Sequence, residues 1–435
     1  MPAPRPVLVP AATGIALRNV LRTDLPRAFA DRGLLPVYLV PEALHGSLRG
    51  EDLGAPGELD VLPEAPHRPL ENALRNVAFG IVRRHHSIAT MDIHERRLAR
   101  NRERTPYKHR LGRLLGRSWT AYHAVDRARR AAFRFPEMQP PFARWAPAAV
   151  FANNVFNVHE AGLLRRAQAC GVPAVGMVHS WDNPSNKGML PAWPDLLLVW
   201  SEVMRREMTS YFRFPEARTR IVGSPQFDVY ARPLATPRAD LLAGLRLPGD
   251  ARLVVYATGA PGHCPWEPAY ARVLAGLVAE GDGRGPLALL VRLHPRDHLH
   301  RYDGLDGLPN VRLEVAGRGD PGMADRWNPT EDDHLHFAAL MRHADVVVNL
   351  ASTVALDAAC NDRPIVHVHW DVEPADDYLD SVDRLFDYTH TVRLMACGAS
   401  LVARSAEELR AHVEAALADP AARRDARRRL ARQEG

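Results

Sequence analysis

The stretch His343–Trp370, HADVVVNLASTVALDAACNDRPIVHVHW, constrains the fold more than any other part of the chain. Val346–Val348 is an apolar run of β-branched residues, Asn349–Ser352 a turn of small and polar residues, Thr353–Cys360 a short helix and Ile365–Val368 a second strand. A strand, a crossover helix and a second apolar strand make half of a parallel α/β unit, because parallel neighbours cannot be joined by a tight hairpin. Ligands of open α/β sheets bind at turns of this kind, at the carboxyl ends of the strands. Ser352 and Thr353 add hydroxyls to the free N–H groups of a helix start, which suits a phosphate.

The same alternation recurs along the chain. Pro6–Val9 predicts a first strand, with a helix from Ile15 to Arg32 and a strand at Pro36–Val40, and Glu42–Pro69 reads as loop. Further strands are expected at Ala148–Asn153, Pro173–Val178, Asp195–Trp200 and Arg220–Val222, with helices at Val158–Ala169 and Glu202–Tyr211. A second series begins at Leu253–Tyr256 and continues through Leu287–Leu293 and Val311–Val315. With 435 residues, the chain exceeds what one hydrophobic core usually covers, so two α/β domains are expected. The reading assigns 1–230 to an N-terminal Rossmann-like domain, 231–250 to a linker, 251–405 to a second Rossmann-like domain and 406–435 to a basic C-terminal helix. TGIALRN, after the first strand, is not a GxGxxG fingerprint, so no dinucleotide site is expected there.

No run of about 18 apolar residues occurs, and MPAPRPVLVP leads directly into a strand, so the reading expects neither a membrane span nor a secretory signal, and a cytoplasmic location. The four cysteines are scattered and are expected as single thiols, with no metal site. Basic charge is concentrated in a helical segment at about 71–135, with arginine pairs at Arg83–Arg84, Arg96–Arg97 and Arg129–Arg130 among apolar residues. Two readings apply: contact with anionic lipid on the inner membrane face or with a polyanionic acceptor, or simply a solvated helix face. No nucleic-acid partner is expected. Lys108 and Lys187 are the only lysines, and a compact ammonium is not equivalent to the guanidinium used everywhere else.

Taken in order, HSWDNPSNKG at His179–Gly188, DLLLVWSEVMRREM, IVGSPQFD, VVYATGAP, VRLHP and the opening stretch resemble the GT-B superfamily of nucleotide-sugar-dependent transferases. The likeness, over Val175–Gly398, is greatest to the CDP-glycerol glycerophosphotransferase group and related bacterial surface-polysaccharide transferases. It implies two Rossmann-like domains facing across a cleft, with the donor on the C-terminal one. It also implies transfer of a sugar or polyol phosphate from a CDP-, CMP- or UDP-linked donor to a hydroxyl of a surface glycan or lipid-linked acceptor, without a cofactor or metal.

Residue roles follow from that resemblance. Ser352 and Thr353 would hold donor phosphate, and His294 of the HP motif would hydrogen-bond it and stabilise the leaving group. Arg292, Thr258, Gly259 and Lys187 would line the donor site, and Asp357 would bind ribose. His179 or Asp182 would remove the acceptor proton. The sequence departs from the family pattern at Ser180–Trp181, where a glycine would follow the histidine. It departs again at ATGAP, which lacks the arginine of the family's first C-domain loop. Plainer readings are a helix cap for Ser352, a carboxylate capping or pairing at the domain surface for Asp357 and a satisfied core histidine for His294. Two further classes share the fold, a UDP-N-acetylglucosamine 2-epimerase-like isomerase and a non-catalytic glycan-assembly protein.

Overall fold

The computed structural model describes residues 4–46, 48, 53, 55–66, 68–100, 114–116, 118–233, 236–319 and 327–434. Contacts divide the chain into a first unit, Met1–Pro225, and a second, Gln226–Asp320 with Arg326–Gly435. Gln226–Asp250 therefore belongs to the second unit. Its helix Arg238–Gly244 is fastened by Arg238, which donates to the Ala251 carbonyl at 2.8 Å and pairs with Asp345 at 2.6 Å.

The first unit is built on a seven-stranded sheet: β1 (Arg5–Pro10), β2 (Leu34–Val40), β3 (Glu58–Val61), β4 (Ala149–Ala152), β5 (Ala174–Met177), β6 (Leu196–Val199) and β7 (Thr219–Ile221), in the order β3-β2-β1-β4-β5-β6-β7. Every pairing is parallel. The order reverses between β1 and β4, opening a crevice at their carboxyl ends. Val7, Val9, Leu17, Val20, Tyr38 and Val40 form one buried cluster beneath it.

The second unit repeats the design. Its sheet contains β8 (Arg252–Ala257), β9 (Leu287–Leu293), β10 (Val311–Val315), β13 (Val346–Asn349), β14 (Ile365–Val368) and β15 (Ser400–Ala403), ordered β10-β9-β8-β13-β14-β15. Between them in sequence, β11 (Arg318–Gly319) and β12 (Trp327–Asn328) make a separate antiparallel pair. All seven residues of β9 are buried, as expected of a strand covered on both faces. The reversal here falls between β8 and β13.

Three expectations change. The helix expected over Ile15–Arg32 is two helices, Gly14–Leu21 and Leu25–Ala30. Pro26, which has no N–H for the Arg22 carbonyl, forces the break, and Thr23 seals it, donating its hydroxyl to the Asn19 carbonyl at 3.1 Å and accepting the Leu25 N–H at 3.3 Å. Glu42–Pro69 contains a short helix, Glu42–His45, and the edge strand β3, held by Asp60 accepting from the Trp145 indole at 2.6 Å. The basic segment is helical at Pro69–His86, Ala89–Arg100 and Trp119–Ala132, but Arg129 within it is wholly buried rather than solvated. Lys108 lies outside the described residues, and among those described no helix is long and apolar enough to cross a membrane.

Candidate functional site

In the second unit, strand register sets the carboxyl-edge residues in one row. Arg292 pairs with Ala257, Ala257 with Asn349 and Asn349 with His367. Just beyond that row stand Thr258, Gly259, His294, Ser352 and Thr353, so residues chosen from three separate motifs meet at one sheet edge, around the β8/β13 switch point.

Local bonds fix each of them. Thr258 Oγ1 accepts the His294 N–H at 3.0 Å, and the Thr258 N–H donates to the Arg292 carbonyl at 3.0 Å, tying the ends of β8 and β9 together. Gly259 N–H donates to Glu267 Oε1 at 2.7 Å, and Tyr256 donates to the other oxygen. Burial pushes the Glu267 carboxyl up to about 7, against those hydrogen bonds, so this anchor is partly protonated near neutrality.

His294 Nδ1 accepts the Arg296 N–H at 3.1 Å. A neutral ring with Nδ1 accepting carries its proton on Nε2, which is then a hydrogen-bond donor. Burial, then Arg296 and His263, push the imidazole down to about 4, so the neutral form prevails at pH 7. Arg292 is otherwise engaged, paired with Glu314 and lying 5.1 Å from the centre of the Phe337 ring.

After β13 the backbone turns through Ala351 at φ 46°, a left-handed conformation costing roughly 1–2 kcal/mol in a residue with a Cβ. The Ser352 N–H donates to Asn349 Oδ1 at 3.0 Å, and Ser352 Oγ accepts weakly from Val354 at 3.4 Å. The helix that follows, Val354–Cys360, has only seven residues, so specific groups at this turn matter more than a macrodipole. Asp357, one turn along it, is buried rather than at the surface and accepts the Tyr230 hydroxyl at 2.7 Å. Asn349 Oδ1 also meets His367 Nδ1 at 3.1 Å, while Asn349 Nδ2 and His367 Nε2 are buried with no partner among the described residues. Among the described residues no three His, Cys, Asp or Glu side chains lie close enough to hold a metal ion.

In the first unit, His179 follows β5 and Asn153 follows β4. Asn153 Nδ2 and His179 Nδ1 are 3.0 Å apart, and with the amide donating, Nε2 of this histidine also carries its proton. Burial first, and Arg18 next, push His179 down to about 3, so it is a weak proton acceptor. Asp182 accepts from the side-chain amides of Asn186 at 2.9 Å and Asn183 at 3.3 Å, whereas Lys187, which caps the short helix Asn183–Asn186, is exposed.

Sequence reasoning missed Glu160. It lies in the first turn of the helix Val158–Cys170, is fully buried and accepts the Asn154 N–H at 2.8 Å. Burial pushes its carboxyl up to about 8 despite stabilising backbone groups of Asn154, Ala12 and Asn153, which mark the β1/β4 crevice. The available signal was Asn157 followed three residues later by Glu160, capping-box spacing, although the carboxylate reaches past its cap to Asn154.

Neither a protein-family model nor a curated protein matches the chain by sequence. Solved structures do match in fold. A putative UDP-N-acetylglucosamine 2-epimerase from Listeria monocytogenes aligns with TM-score 0.58 at 11% identity, over 100% of this chain and 93% of that one. S. aureus MnaA bound to UDP aligns with TM-score 0.54 at 10% identity, over 99% and 92%. The glycosyltransferase of kitacinnamycin aligns with TM-score 0.54 at 14% identity, over 99% and 96%. Together with the two parallel sheets, these likenesses define the fold as GT-B.

Proposed function

We propose that the chain is a nucleotide-sugar-dependent transferase that moves a sugar, or a polyol phosphate, to a hydroxyl of a glycan or lipid-linked acceptor. The observation that carries this reading is the state of His294: a neutral ring presenting an Nε2–H donor at the carboxyl edge, beside the β8/β13 switch point. A donor phosphate accepting that N–H would gain most as the bond to the transferred group breaks and charge builds on its oxygen. Ser352 and Thr353 would bind the same phosphate with hydroxyl and backbone groups. On the acceptor side, Asp182 suits the base better than His179, whose Nδ1 lone pair is taken by Asn153. The acceptor oxygen forms the new bond, its proton passes to the Asp182 carboxylate and the nucleotide leaves. The donor base, CDP-, CMP- or UDP-linked, is part of the proposal and is read by titration. Calorimetry with CMP, CDP and UDP should find one that binds, and His294→Ala should weaken it at least tenfold while the chain stays folded. Unchanged affinity removes His294 from the site.

One observation favours a second reading, an isomerase of the 2-epimerase type. Glu160 is a buried carboxyl at the first-unit crevice that is protonated at neutral pH, as the group returning a proton to a sugar carbon would need to be. Incubation with UDP-N-acetylglucosamine in D2O, with no acceptor present, separates the two. Deuterium at the sugar's second carbon with inversion there selects the isomerase.

A further inference from the structure

Away from both crevices, the first unit holds a cavity of about 320 Å³ lined by Arg130, Phe133, Arg134, Arg165, Gln168 and Ala169. These residues come from the carboxyl-terminal ends of the helices Trp119–Ala132 and Val158–Cys170 and the chain just after the first. The second helix leads into the start of β5 at Ala174, whereas His179 follows the end of that strand. The cavity therefore lies at the opposite sheet edge from His179.

Charge around it does not balance. Glu71 Oε1 accepts from both Arg129 at 3.1 Å and Arg165 at 3.0 Å, and Asp126 is shared by Arg129 and Arg130, each at 2.9 Å. Arg75 also faces Glu71 and Arg129, so four guanidinium groups share two carboxylates. Exposed Arg134 on the cavity wall adds a fifth cation. Two helix carboxyl ends offset only about one positive charge between them, against an excess of three among the described residues. Burial and the neighbouring Arg129 push the Arg165 guanidinium down to about 10, the mark of cations crowded out of water. Arg165 is positioned by donating to the carbonyls of Arg129 and Phe133, so it cannot swing away to relieve the crowding.

We propose that this cavity is a binding site for a phosphate or diphosphate group, with Arg130 and Arg134 as its principal ligands and Phe133 against the attached organic portion. Its volume is near the lower end for small-molecule sites, about 300–1,000 Å³, enough for a phosphorylated head and a short stub. The group comes either from a soluble phosphate ester or from the headgroup of a phosphorylated lipid. This inference is independent of the transferase reading, since none of its residues belongs to either crevice.

Titration of the full chain with inorganic pyrophosphate tests the soluble arm, and flotation with phosphatidylcholine vesicles, with and without phosphatidic acid, tests the lipid arm. Binding in either arm, weakened about tenfold or more by Arg134→Gln and further by Arg130→Gln/Arg134→Gln, supports the site. Arg134→Gln leaves the buried network untouched and carries the test, whereas Arg130→Gln also removes a partner of Asp126, so the double variant counts only with an unchanged melting temperature. The same loss must appear in a His294→Ala background, which keeps the donor crevice from supplying the signal. No binding in either arm, or binding that the double variant leaves unchanged, overturns the proposal.

Discussion

The two units share a strand order and differ in what they bury. The first encloses full charges: Arg129 and Asp126 are inaccessible, Arg165 and Glu71 nearly so, and Glu160 adds a carboxyl that is neutral only because it is buried. At the carboxyl edge of the second, the buried carboxyls Glu267 and Asp357 are held by the hydroxyls of Tyr256 and Tyr230, beside the neutral Asn349 and His367 and half-buried His294, while Arg292 is paired. One sheet architecture thus accommodates a cluster of guanidinium–carboxylate pairs in the first unit and, at the edge of the second, carboxyls held by hydroxyls, and the difference bears on how each unit answers mutation.

The largest expected difference is in catalysis. His294→Ala should reduce turnover by roughly 10²–10³ at saturating donor, the scale of one lost donor to developing charge, whereas His179→Gln should act far less if Asp182 is the base; equal losses in steady-state kinetics would erase that distinction. Next comes stability. Arg129→Ala should destabilise the first unit by about 3–5 kcal/mol, because it leaves Asp126 and Glu71 buried with fewer partners, and denaturant melts would detect it. Arg292→Ala, whose partner Glu314 keeps His336 at 3.0 Å, should do less to the second unit.

Each unit should then respond to both acid and base. Glu267 in the second, raised to about 7, loses its contribution as pH rises from 4.5 to 7, much as Glu160 does in the first. His294 and His367, both pushed down to about 4 by burial, bind fewer protons folded than unfolded, so the second unit loses stability as pH falls from 6.5 towards 4. Each contributes up to about 1.4 kcal/mol per pH unit. His179 behaves the same way down to about 3 in the first unit. Glu160 has the opposite sign. Folded, it keeps its proton up to about 8, so its contribution is lost as pH rises from 4.5 to 8. Hydrogen exchange resolved by unit should show Glu160→Gln flattening the alkaline side in the first unit alone. The smallest effect is Tyr230→Phe, about 1 kcal/mol from a single hydrogen bond to Asp357.

Most strands could be read from sequence because parallel strands buried on both faces are unbroken apolar runs, LALLVRL being the plainest. β3 escaped because an edge strand of four residues, ELDV, is half exposed and carries no such run. The helix break at Thr23 was legible in Pro26, which falls inside the expected helix and opens the second one. At the sites, positions were legible and states were not. His294 ends its strand where the HP motif put it, but its tautomer depends on one backbone N–H. The partners of His179 and Asp357 lie 26 and 127 residues away, distances over which a single sequence carries no pairing signal.

The near-absence of lysine has a practical consequence. Lys187, exposed at the end of Asn183–Asn186, is one of only two side-chain amines in the chain. Amine-selective reagents therefore have almost nothing else to modify, so a fluorophore or crosslinker placed there would report directly on the crevice that holds His179 and Asp182.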